Sequence, residues 1–127
     1  LLKVAIGGIF DKDKLMKPII QFTDFEKIDL RAGKIVSCSL PAWSSKLLEL
    51  DVDFGAEIGQ KKIFAGVRKR FKPEELAGKT CVFVVNLEER KMGEGISQGM
   101  MLVAVAADEA ASPLLVAENV APGAEVR

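Results

Sequence analysis

Lys72-Pro73-Glu74-Glu75-Leu76-Ala77-Gly78-Lys79 stands between two runs of strand-like sequence, and its reading sets the element order. Pro73 suits the first helical position, where a missing N–H forfeits no bond. Glu74 and Glu75 put negative charge in the first turn, against the positive end of the helix dipole. Gly78 marks the exit. One short helix is predicted. Upstream, Leu47 to Phe54 alternates cleanly, with Leu48, Leu50, Val52 and Phe54 on one side and Glu49, Asp51 and Asp53 on the other. Leu30 to Leu40 puts Leu30, Ala32, Val36, Cys38 and Leu40 on one face, interrupted by Lys34, and Gly33 suggests a bulge or bend. Gly55 and Gly59 bound a turn before a third strand from Lys61 to Val67, with Ile63, Ala65 and Val67 on one face. Downstream, Thr80 to Leu87 and Gly99 to Ala107 are nearly continuous apolar runs, as in strands buried on both sides. Leu114 to Val116 offers a sixth short strand before Pro122-Gly123.

Three strands, a short helix, then two strands is the order of a five-stranded Greek-key barrel of the OB type, an all-β fold. Sandwiches share the strand spacing, so periodicity alone leaves them open. The length of 127 residues fits one domain burying about two-thirds of its unfolded surface. Residues 1–15, LLKVAIGGIFDKDKL, precede Met16-Lys17-Pro18 and read as a leader, linker or vector-derived segment, with 16–127 as the domain. The alternative for 1–15 is an interdomain or dimer contact, because Leu1, Leu2, Val4, Ile6, Ile9 and Phe10 suit an apolar surface.

Composition excludes several functions. Eighteen Lys+Arg balance eighteen Asp+Glu, which removes a nucleic-acid binder that relies on overall basicity. The chain has no His, so a His-containing triad, a His metal site and a histidine pH switch are all absent. Cys38 and Cys81 cannot form a four-Cys zinc site; they read as small apolar strand residues, and a reducing cytoplasm fits them. No apolar run approaches the roughly 18 residues of a membrane span. No nucleophile–base pair or ligand cluster is visible, so neither catalysis, metal nor cofactor is expected.

The neutral total hides an uneven distribution. Lys61, Lys62, Arg68, Lys69, Arg70 and Lys72 are uninterrupted by any acid, whereas beyond Lys91 five acids face only Arg127. Such a run is either a solvated lysine-rich surface or a groove that tracks phosphates. Seven Phe, one Trp and no Tyr give little material for stacking a single strand. Recognition of folded RNA through phosphate and sugar contacts needs fewer aromatics. The stretch Asn86 to Met100 reads as a loop joining two buried strands, with adjacent Arg90 and Lys91, three glycines, Ser97 and Gln98. Such a loop suits phosphate or ribose. It matches neither a phosphate-loop nor a dinucleotide fingerprint.

Several ordered motifs carry a resemblance. They are Asp24 to Ile35 (DFEKIDLRAGKI), Ser45 to Leu50 (SKLLEL), Phe64 to Arg68 (FAGVR), and Asn86-Leu87 followed by Arg90-Lys91-Met92 and Gly95 to Met100 (GISQGM). Over residues 20–125 the chain resembles the tRNA-binding domain appended to the C-terminus of many bacterial methionyl-tRNA synthetases, also found free-standing. The resemblance implies an OB-fold core with C-terminal additions and a homodimer. It further implies non-catalytic, structure-specific binding to the outer corner of tRNA, alone or joined to a synthetase catalytic domain, with no membrane partner. Carried over, the contact set is Asn86, Arg90, Lys91, Ser97 and Met100, supported by Lys34, Lys46 and Arg68. Arg90 and Lys91 are expected at phosphates, and Ser97 at ribose or backbone. Met100 either packs on the nucleic acid, holds the loop or is an ordinary core residue. Asn86 equally suits a strand-end side chain bonding its loop backbone.

The sequence departs from the family at Glu88, Glu89 and Glu94, which bring three carboxylates beside the phosphate site, and at Leu40 to Ser44, which lacks the acidic-and-His character usual there. A second branch supplies the alternative. Secretion chaperones of the same fold resemble Asp53 to Gly59 followed by Lys61, and Arg70 to Leu76; they imply a dimer that binds extended apolar peptides.

Overall fold

A computed structural model describes residues 15–127, so the reading of 1–15 lies, apart from Leu15, outside the described residues. After a single helical turn, α1 (Phe22–Phe25), three strands pair antiparallel in sequence: β1 (Leu30–Ser39), β2 (Leu48–Asp53) and β3 (Gln60–Ala65). β2 behaves as its alternation requires, with Leu48, Leu50 and Val52 fully buried and the intervening acids at the surface side. The turn to β3 contains α2 (Gly55–Ile58), and both Gly55 and Gly59 have positive φ, +87° and +84°, which glycine adopts without steric cost. The expected helix forms as α3 (Pro73–Leu76), with Pro73 in its first turn and the Glu75 carboxylate accepting the Lys72 N–H at 2.8 Å. Leu76 anchors it in the core.

β4 (Thr80–Val84) then pairs beside β1, and β7 (Met100–Met101) beside β4, giving the order β3-β2-β1-β4-β7. Between β4 and β7 lies a hairpin, β5 (Arg90–Met92) and β6 (Gly95–Ser97). The sheet curls into a nearly closed antiparallel barrel of five strands, as the element order predicts. The closing seam runs between β3 and the segment after β6. There the Gln98 N–H donates to the Lys62 carbonyl at 2.8 Å, and the Gln98 Oε1 accepts the Lys62 N–H at 2.9 Å. One side-chain amide thus replaces a rung of strand pairing. Inside, Phe54 and Phe83 meet edge to face at 5.4 Å, surrounded by Ile35, Leu50, Val52 and Ile63. Each such side chain contributes about 1.5–3 kcal/mol by leaving water.

Four strand expectations are corrected. The bulge in β1 falls between Ile35 and Ser37, not at Gly33. It resets the alternation, so Ile35 is buried while Val36 and Leu40 are exposed. Gly33 instead leaves room for Phe54, Val52 and Phe83, where a Cβ would lie within 3 Å of all three. Gly99 to Ala107 is not one buried strand. It divides into β7 and β8 (Val103–Val105), and the latter pairs with β9 (Ala111–Pro113) and is largely exposed. Leu114 to Val116 forms no strand beyond a bridge from Leu115 to Cys81, and β4 ends at Val84 rather than Leu87. The C-terminal residues return to β1 through β10 (Glu125–Val126), and the Gly123 N–H donates to the Ala32 carbonyl, covering Ala32. Both cysteines are free; Cys81 is buried and Cys38 half-buried, and loss of hydration pushes each thiol up to about 11. No helix among the described residues is long and apolar enough to cross a membrane.

Candidate functional site

The stretch from Asn86 to Met100 is a hairpin on an aromatic platform rather than a glycine-rich loop. β5 and β6 turn through Gly93 and Glu94, with φ of Gly93 at +61°. Glycine at the first position of a two-residue turn suits the twist of the flanking strands. Beneath lie Trp43 and Phe64, whose rings are 5.4 Å apart. A Cβ at Gly93 would enter the Trp43 ring, and one at Gly95 would enter the Phe64 ring. These two glycines therefore let the hairpin backbone rest on the rings. Trp43, before β2, and Phe64, in β3, are far apart in sequence, so no local pattern could reveal the platform.

Ser97 pins the hairpin to the barrel. Its side chain is buried; Oγ accepts the Phe64 N–H at 3.1 Å and donates to the Gly99 carbonyl at 2.8 Å. Both hydrogen-bonding capacities of the hydroxyl are thus used within the protein. Asn86 acts similarly at the other end. Its Oδ1 accepts the Asp29 N–H at 2.8 Å and its Nδ2 donates to the Lys27 carbonyl at 2.7 Å, tying the β4 exit to the start of β1. The partners are distant in sequence, not the residue's own loop. Met100 is 44% exposed, and the core position belongs to Met101.

Asn86, Arg90, Ser97 and Met100 are brought together around one cavity of about 650 Å³, joined by Phe64, Leu87, Glu88, Glu89 and Met92. Lys91 is adjacent in sequence but not in direction. Pairing sets Arg90 opposite buried Ser97, and Lys91 opposite exposed Ile96, so period-two alternation sends the two cations to opposite faces of the hairpin. Neither makes an ion pair among the described residues. The Glu89 carboxylate accepts from Gln98 Nε2 at 3.3 Å, so the seam residue also steadies an acid at the cavity.

The three supporting bases lie elsewhere. Lys34 is exposed on β1, across from Asp53 and Thr80. Lys46 is exposed before β2, in a hollow shared with Lys69, Arg70 and Glu109. Arg68 donates to the Ser44 carbonyl and lines a shallow surface with Trp43.

The basic run from Lys61 to Lys72 does not form one uncompensated patch. β2–β3 pairing places Asp51 opposite Lys62, and Lys62 Nζ lies 2.8 Å from Glu49 and 3.6 Å from Asp51. The bond to Glu49 raises the Lys62 ammonium above the ordinary lysine value, against some desolvation and with help from the Asp51 charge. Arg70 reaches Asp108 at 3.0 Å. The Ala110 N–H, and then Arg70, hold the Asp108 carboxyl below the usual carboxylate range.

Comparison with known proteins agrees with this architecture. A family model described as "Putative tRNA binding domain" matches residues 30–125. A methionine–tRNA ligase of Janthinobacterium sp. (strain Marseille) is 50% identical over 108 residues, which are 85% of this chain and 15% of that protein. A second, from Albidiferax ferrireducens, is 49% identical over 110 residues, 87% of this chain and 15% of its own length. The chain thus spans 15% of the length of these curated relatives. Among solved structures, a MetRS-related protein from Pyrococcus horikoshii superposes with a TM-score of 0.82 at 32% identity, covering 87% of this chain and 100% of that one. The chaperone CsaA from Bacillus anthracis superposes at 0.78 with 27% identity, again over 87% of this chain and 100% of the other.

Proposed function

The chain belongs to the tRNA-binding domain family, and on that premise we propose that it is a non-catalytic module that holds tRNA by shape and supports aminoacylation, either appended to a methionyl-tRNA synthetase or free-standing. The observation that carries the reading is the hairpin: Arg90 and Lys91 are exposed and lack ion-pair partners among the described residues, and Arg90 lines a cavity built from the family's motif residues while Lys91 takes the opposite face. Arg90 and Lys91 meet phosphates from the two faces of the hairpin. Asn86 and Ser97 act as positioning residues through the backbone bonds they already make. Met100 packs against the nucleic acid from its exposed position. Lys34, Lys46 and Arg68 add longer-range attraction.

The module works in the cytoplasm as a homodimer. Support for self-association comes from Met16, Ile19, Ile20 and Phe22, between 63% and 92% exposed along one segment. Two modest sites on one dimer, or one tethered to a synthetase, raise the effective concentration of tRNA. Filter binding of bulk tRNA to the folded protein should show an affinity that falls steeply between low and moderate salt, as about four to six phosphate contacts require. No retention at low salt would overturn the proposal.

A second reading has one observation in its favour, the superposition on chaperone CsaA over the whole of that chain. In it a dimer binds extended apolar peptides at the same cavity. Saturable peptide binding reported by Trp43 fluorescence, with no tRNA binding, would favour it.

A further inference from the structure

Glu88 and Glu89 are out of place in a site that only tracks phosphates. Both are exposed and line the same cavity as Arg90, and Glu89 is held there by the Gln98 amide. Two carboxylates beside a phosphate repel it at close range, although salt screens the effect beyond about 8–10 Å. A nucleobase edge is different, because it is uncharged and carries N–H donors. An ionised carboxylate is acceptor-only, with two oxygens, and its charge-assisted bonds are the strong ones.

The rest of the cavity suits a base as well. Phe64, Leu87, Met92 and Met100 supply apolar surface, and about 650 Å³ lies within the roughly 300–1,000 Å³ of small-ligand pockets. Phe64 is the one aromatic among the residues lining the cavity, which fits the capture of one splayed base rather than a stacked tract. The Watson–Crick edge selects among bases. Guanine presents two adjacent donors, N1–H and the N2 amine, which match the two oxygens of one carboxylate. Adenine and cytosine set one amine beside an acceptor, and uracil sets one donor between two carbonyls that face the carboxylates.

We propose that this cavity takes a single unstacked guanine from the bound RNA, with the Glu88 and Glu89 carboxylates accepting from its N1–H and N2 amine while Arg90 holds the adjoining phosphate. The inference rests on the tRNA-binding reading and gives it a base preference.

The test uses the full chain, bulk tRNA, and three fluorescent pentaribonucleotides: UUGUU, the same with inosine for guanosine, and UUUUU. Inosine lacks only the N2 amine. The guanosine oligonucleotide should bind at least about fivefold more tightly than the inosine one. Glu88→Gln with Glu89→Gln should erase that preference, so that the guanosine and inosine oligonucleotides bind alike. Equal binding of the guanosine and inosine oligonucleotides, or no oligonucleotide binding at millimolar concentration, while tRNA still binds, would overturn the inference and leave the tRNA reading standing. Loss of tRNA binding by the folded protein would remove both. An extended apolar peptide that displaces the oligonucleotides equally from wild type and the double variant, with no guanosine preference, would assign the cavity to peptide.

Discussion

Lys62 on β3 and Arg90 on β5 are both strand-borne cations, and they differ in what opposes them. Lys62 lies in a ladder whose neighbouring strand carries Glu49 and Asp51 on the same face, so its charge is spent within the sheet. Arg90 lies in a three-residue strand whose one partner, β6, offers Ser97 across from it. The sequence places six uninterrupted cations in the first region and only two in the second. Of the six, Lys62 and Arg70 have an ion-pair partner among the described residues, whereas neither Arg90 nor Lys91 has one, so partnering narrows the difference between the two regions. A local count of charge measures supply, whereas attraction for a phosphate depends on charge left unanswered by neighbours.

The comparison breaks most completely if the hairpin loses its platform. Gly95→Val drives side-chain atoms into the Phe64 and Trp43 rings. Overpacking of this kind should cost about 1–3 kcal/mol in urea denaturation and shift Trp43 emission as the ring becomes solvated, with tRNA binding lost alongside. The next effect is electrostatic. Arg90→Ala with Lys91→Ala should lower affinity for all tRNAs alike by about tenfold or more and reduce the salt slope by about two, with the melting curve nearly unchanged. A loss confined to one tRNA species would point to sequence reading by these residues. The smallest effect sharpens the contrast from the other side. Glu49→Gln with Asp51→Asn releases Lys62, so tRNA affinity should rise about two- to threefold at low salt, while stability drops by no more than about 1 kcal/mol, as for exposed ion pairs. An unchanged affinity would mean that β3 lies outside the RNA footprint.

Much of the fold was legible because short-range physics decides it. Alternation over Leu48 to Phe54 can bury only one face, and Pro73 with Glu74 and Glu75 can open only a short helix. The motif Gly95 to Met100 drew attention to the right segment. Its conformation was not legible, because Gly93 and Gly95 are required by Trp43 and Phe64 rather than by the loop itself. The roles of Ser97 and Asn86 were open for the same reason, since Phe64, whose N–H the Ser97 hydroxyl accepts, lies 33 positions away and the partners of Asn86 lie 57 and 59 away.

The sequence by itself determined the element order, the barrel class, the family and the segment bearing the site. Those follow from side-chain period, turn chemistry and ordered motifs, all of which act over a few residues. Only the tertiary structure decided where the β1 bulge falls, that Arg90 and Lys91 face opposite ways, that Ser97 is buried, and that Lys62 is paired. Each of these depends on which strand lies beside which, and strand neighbours come from barrel closure between residues distant along the chain.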